Sequence, residues 1–74
     1  MRTEEEYCIN MSNNEEWFNN YVLMKSYAKD NRENVENVVR YEYHFDNNGE
    51  LIGDISDHTE ILFDKKREIN KIGL

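Results

Sequence analysis

"FDNNGEL", residues Phe45 to Leu51, is the stretch on which the reading of this chain turns. It is either a cation-binding loop or a hairpin turn. An EF-hand-type calcium loop needs Asp at its first position, Gly at its sixth and Glu at its twelfth. With Gly49 in sixth place, His44 stands first and Ile55 twelfth, so both end ligands fail. Asp46 and Asn48 alone supply too few oxygens. As a turn the stretch fits well. Asp46 at i and Gly49 at i+3 suit a type I turn whose last residue is left-handed, closing a three-residue hairpin loop with a bulge.

That loop dictates a register. Asp46 pairs with Glu50, so Phe45 faces Leu51, Tyr43 faces Gly53 and Tyr41 faces Ile55. Directly opposed residues share a face, so each aromatic meets an apolar or small partner. A two-residue Asn48-Gly49 turn would set Tyr43 against Asp54 and Tyr41 against Ser56. The strand leading into the turn, Val38 to Phe45, places Val39, Tyr41, Tyr43 and Phe45 on one face, expected to be the core face. Val38, Arg40, Glu42 and His44 fall on the other, with Ile52, Asp54 and Ser56, facing solvent or a partner. The Tyr-x-x-Asp-x-x-Gly-x-Leu spacing from Tyr43 to Leu51 resembles one unit of the tyrosine–aspartate repeat of toxin-shell proteins. No second unit follows, and the resemblance implies shared hairpin grammar rather than kinship.

Upstream, Tyr7, Ile9 and Met11 alternate with Cys8 and Asn10, which predicts a short strand. Ser12 and Glu15 have the spacing of a capping box, and Glu15 and Glu16 suit the positive end of a helix dipole. Behind them Trp17, Tyr21, Met24 and Ala28 form one helical stripe, widened by Phe18. Asp30-Asn31 is the predicted stop, with Asn31 left-handed. Asn31 to Asn37 reads as a loop or a frayed helical extension.

Downstream, Asp57-His58-Thr59-Glu60 reads as a second capping box. Ile61, Leu62, Ile69 and Ile72 then share one side of a helical wheel, late bases suit the dipole, and Gly73 sits where a C′ glycine belongs. The competing reading is a strand, Thr59-Ile61-Phe63, followed by a short tail helix. The helix is preferred. The expected fold is an α+β two-layer sandwich of order β-α-β-β-α, an antiparallel sheet with helices on one face, as a single domain over residues 1–74.

A chain of 74 residues has a thin core and little volume for a deep substrate pocket. Its single cysteine, Cys8, forbids an intrachain disulfide. Met1-Arg2 is followed by Glu4, Glu5 and Glu6 rather than an apolar run. No segment approaches the roughly 18 apolar residues of a membrane span. A complete small reading frame in the cytoplasm is the expectation, or in the host cytoplasm if phage-encoded. Eleven Asn, no Pro and no Gln suggest an AT-rich coding bias. Net charge is −7, unevenly spread: residues 1–64 carry 15 acids against 5 bases, and 65–74 carry 4 bases against 1 acid. Such a body repels phosphates and argues against direct nucleic-acid binding, favouring a basic partner or plain solubility.

Catalytic chemistry finds little purchase. Cys8 has no helix N-terminus or basic neighbour to lower its pKa and reads as inert. His44, Asp54, Asp57 and His58 are zinc-type residues, but Asp57-His58 are expected at the far end of the hairpin from His44. No Cys-x-x-Cys or His-Glu-x-x-His spacing occurs, so no metal or other cofactor is expected. Glu42 opposite Asp54 has the form of a proton-sharing pair, yet on an exposed face it reads as solvated or bridged by Arg40.

The acidic clusters carry the sharper expectation. Carboxylates on a rigid small fold imitate nucleic-acid phosphates and compete for a basic groove. In size, charge and Asn content the chain resembles small acidic phage proteins, including DNA-mimic inhibitors such as many anti-CRISPR proteins. The expected function is therefore a non-enzymatic inhibitor. It would block a basic surface of a nucleic-acid-handling or defence protein. Glu15, Glu16, Glu33, Glu36, Glu42 and Asp54 supply charge, and Phe18 and Tyr27 act as aromatic anchors. Apolar residues outside the drawn core (Phe18, Leu23, Tyr27, Val35, Val38, Ile52 and Phe63) strengthen the expectation of a contact surface. The alternatives are an antitoxin or immunity protein covering a toxin, and a homo-oligomeric structural protein, a homodimer being its simplest form.

Overall fold

The computed structural model of the chain describes residues 2–53 and 58–74. Five strands form one antiparallel sheet: β1 (Arg2–Met11), β2 (Glu15–Phe18), β3 (Val35–Phe45), β4 (Thr59–Asp64) and β5 (Ile69–Asn70). Their spatial order is β2-β1-β3-β4-β5. Among the described residues a single α-helix, α1 (Tyr21–Asp30), and a 3-10 turn (Arg32–Asn34) connect β2 to β3. The domain is α+β in kind but strand-dominated. The chain order is β-β-α-β-β-β, not the expected β-α-β-β-α.

The first correction falls on Ser12–Phe18. Instead of capping a helix, Ser12 and Asn13 turn a hairpin, where Met11 N–H donates to Asn14 O at 2.8 Å. Cys8 then pairs with Trp17 and Tyr7 with Phe18. Ser and Asn bind nearby backbone equally well in caps and in turns, so the capping pattern had two solutions. The helix begins later, capped by Asn20, whose Oδ1 accepts from Leu23 N–H at 3.0 Å. It stops at Asn31 as expected, but Asn31 is not left-handed (φ −120°). Its backbone N–H and its Nδ2 both donate to Tyr27 O.

The second correction is the C-terminal helix. Its residues form a strand, a turn and a further short strand. The strand half of the competing reading is right and the tail helix is absent. Val38 pairs with Phe63 and Val39 with Ile61, which leaves Leu62 as the extra residue of a bulge. That bulge sets Leu62 and Phe63 side by side against the core, while Ile61 lies opposite Val39 on the other face. The Asp64 carboxylate accepts from the N–H groups of Lys66 and Arg67, and Glu68 takes a positive φ of 58°.

The FDNNGEL turn is as read. Gly49 N–H donates to Asp46 O at 3.1 Å, Asp46 N–H to Glu50 O at 2.9 Å, and Phe45 faces Leu51. Gly49 holds φ +82°, a conformation open to glycine. Further along, however, Tyr41 pairs with Thr59 rather than Ile55. Ile55, the residue expected opposite it, lies outside the described residues, as do Asp54, Ser56 and Asp57.

The third correction concerns which face is covered. Helix α1 lays Met24 and Ala28 on Tyr7, Ile9, Val35 and Val38, all buried. The covered face thus carries Val38, not the tyrosine row. Val35 and Val38 reach one face despite their odd spacing because a register shift at the foot of β3 pairs Met11 with Val35 but Asn10 with Asn37. Neither valine is surplus. Tyr21 sits edge-on to Tyr7 at 5.9 Å, and Trp17 is not in the helix at all.

Candidate partner-binding face

Alternation along the strands assigns the uncovered face. Cys8 lies opposite both Trp17 and Val39, Glu6 opposite Tyr41, Glu4 opposite Tyr43, and Arg2 opposite Phe45. Opposed residues point the same way, so these side chains share one surface with Glu15 and Ile61. At its centre Trp17 stacks on Tyr41, centroids 5.6 Å apart and planes at 27°. Trp17 remains 47% exposed. Its indole N–H donates to Glu15 Oε1 at 3.3 Å, which orients the ring and keeps a carboxylate beside it. Arg2 caps the Phe45 ring at 4.6 Å and pairs with Glu4 at 3.4 Å.

The edge of β1 adds to this surface. β2 pairs only with Tyr7–Asn10, so among the described residues no strand lies beside Arg2–Glu6 on that side. A groove of about 720 Å³ follows the free edge, lined by Glu4, Glu5, Glu6, Trp17, Phe18 and Asn19. Carboxylates and an exposed indole therefore border one open concavity.

Cys8 is buried beneath this face, its thiol 3.9 Å from Glu15 Oε2. Burial first, and the Glu15 charge second, push its pKa up to about 11. The thiol is a poor nucleophile there, and His44 lies on the opposite face by register.

Of the six carboxylates singled out from the sequence, the five among the described residues do not converge. Glu15 is on the open face, and Glu16, on the helix side, accepts from Asn14. Glu33 lies in the 3-10 turn, and Glu36 at the foot of β3 accepts from Ser12. Glu42 lies toward the other end of β3 on the helix side, ion-paired with Arg40 and 2.6 Å from His44 Nε2. The Arg40 guanidinium holds the Glu42 carboxyl below its usual range, and does the same for Glu5 at 2.5 Å. Arg40 thus bridges a carboxylate pair, Glu5 and Glu42, opposed across β1 and β3. Asp54 lies outside the described residues. Phe18 and Tyr27 pack on each other, centroids 5.3 Å apart, and lie partly buried against the core, with Phe18 also at the groove.

Sequence reading missed Trp17, Tyr41, Glu4 and Glu6 as neighbours. The signal was the alternation Glu4-Glu6-Cys8, ignored because the first strand was begun at Tyr7. One further juxtaposition went against expectation. The rings of His44 and His58 lie 4.5 Å apart rather than at opposite ends of a hairpin. No protein-family model, curated protein or solved structure matches this chain. Among the described residues no helix is long and apolar enough to cross a membrane.

Proposed function

We propose that the chain is a non-enzymatic binding protein whose open sheet face receives a basic surface of a protein partner. The observation that carries this reading is the exposed Trp17 stacked on Tyr41 with Glu15, Glu4 and Glu6 around it. Aromatic faces attract guanidinium and ammonium groups, and flanking carboxylates add charge-assisted hydrogen bonds and long-range steering. The same face of a second copy is a poorer occupant, because it would bring glutamates against glutamates. The partner class we favour is a nucleic-acid-handling or defence protein, whose phosphate-binding groove is basic and would be blocked by such a surface.

The test compares capture from host lysate by the wild-type protein, by Trp17→Ala and by a Glu4→Lys/Glu6→Lys double variant, washed at low and high salt. A basic protein retained by the wild type at low salt, released by high salt and lost by both variants supports the reading. A partner held equally by all three proteins, or held through the helix side, overturns it.

A further inference from the structure

We propose that Glu42, His44 and His58 form a binding site for a divalent transition-metal ion of the zinc class. The site lies on the helix side of the sheet, beyond the reach of α1 and away from the aromatic face. Glu42 and His44 are two residues apart on β3 and so project from the same face. Arg40 pairs with Glu60 and Tyr41 with Thr59, so His58, one residue before β4, falls beside them on that face. One ligand atom from each of the three residues lies within 4.8 Å of the other two. Two imidazole nitrogens and one carboxylate oxygen are the donor set that zinc and its neighbours in the first transition series prefer, with a further position left for water or a partner's ligand.

The orientation of His44 supports the assignment. Its Nδ1 lies 3.4 Å from Thr3 Oγ1, which anchors the ring from the far side. Its Nε2 is buried and makes no well-aligned hydrogen bond, although Glu42 Oε1 is 2.6 Å away. That contact brings an imidazole nitrogen and a carboxylate oxygen to one point, and an ion bound by both would replace it as the two atoms separate. Outer contacts of the Thr3 kind fix the ring orientation of metal-binding histidines. Arg40 engages the other oxygen of Glu42, so Oε1 is directed at His44, and the guanidinium charge is also answered by Glu5. Zinc bonds of about 2.0–2.2 Å place tetrahedral ligand atoms roughly 3.4 Å apart. Binding requires the Glu42–His44 contact of 2.6 Å to open toward that value, with the His58 ligand atom within 4.8 Å of both. The competing account, a Glu42–His44 hydrogen bond with His58 merely stacked upon it, gives no metal affinity.

The test uses untagged full-length protein titrated with zinc chloride by calorimetry and with cobalt chloride by visible absorption. One equivalent should bind, and the cobalt form should show the intense bands of a low-coordinate site. His58→Gln and His44→Gln should each weaken binding by at least about tenfold, and Thr3→Val by a smaller factor, in line with the weight of ligands and their outer contacts. Amide NMR of the wild type locates the ion without any substitution. Shifts centred on Thr3, Glu42, His44 and His58 support the site. Absence of saturable binding, undiminished binding by His58→Gln, or shifts centred on other carboxylates overturn it.

Discussion

Cys8 shows how far a single side chain is governed by its place in the sheet. It is 2% exposed, and its thiol, pushed up to about 11 chiefly by burial, holds its proton at neutral pH. Alkylation by iodoacetamide at pH 7.5 is therefore expected to be far slower than for a free thiol of ordinary pKa, and to accelerate steadily as pH approaches 11. Mass spectrometry of timed aliquots measures this. Rapid labelling at neutral pH would mean that β2 leaves β1 readily. Glu15→Gln removes the secondary contribution and should shift the profile slightly toward lower pH.

At the scale of elements, the boundary between β2 and α1 separates two readings of one sequence. Asn20 caps the helix in the structure, whereas Ser12 only turns a hairpin. Asn20→Ala should cost about 1 kcal/mol, the usual value of a lost N-cap, and Ser12→Ala much less. Urea melts of the two variants decide between the readings, since a helix starting at Ser12 demands the reverse order. Where the sequence was read correctly, local chemistry had one solution: the Asp46–Gly49 turn, and the strands around Ile9 and Tyr41. Where it misled, tertiary context chose between equals. A strand, a turn and a short strand brought Leu62 and Ile72 to the core without a helix, and the register shift below Val38 hid Val35 and Val38 among the residues thought surplus. The candidate face was harder still to see. Its members come from β1, β2 and β3, and their convergence depends on a pairing that no local pattern announces.

The whole molecule has a small interior. Among the described residues the largest fully buried side chains are Ile9, Met24, Val35 and Val38, which join β1, α1 and β3. Truncating one such side chain to alanine typically costs 2–5 kcal/mol, through lost transfer energy and an unfilled cavity. A domain of this length has only about 0.05–0.15 kcal/mol of stability per residue. Met24→Ala should therefore remove a large share of the total, seen as a fall in Tm of roughly 10 °C or more. Val39→Ala, on the half-open face, should cost clearly less. Equal losses would mean that both faces are covered alike, contrary to the arrangement of α1 on one side.

The free edge of β1 has one more consequence. A bare strand edge is the place where a fibril adds its next chain, since its outward backbone groups accept any extended segment. Here that edge carries Glu4, Glu5 and Glu6 in succession. An identical strand arriving alongside brings three negative charges to meet three more, so polymerisation is discouraged at its first step. A foreign segment rich in lysine or arginine meets no such barrier. On the proposed reading, the same row of carboxylates disfavours edge-to-edge pairing of copies and admits chains of opposite charge.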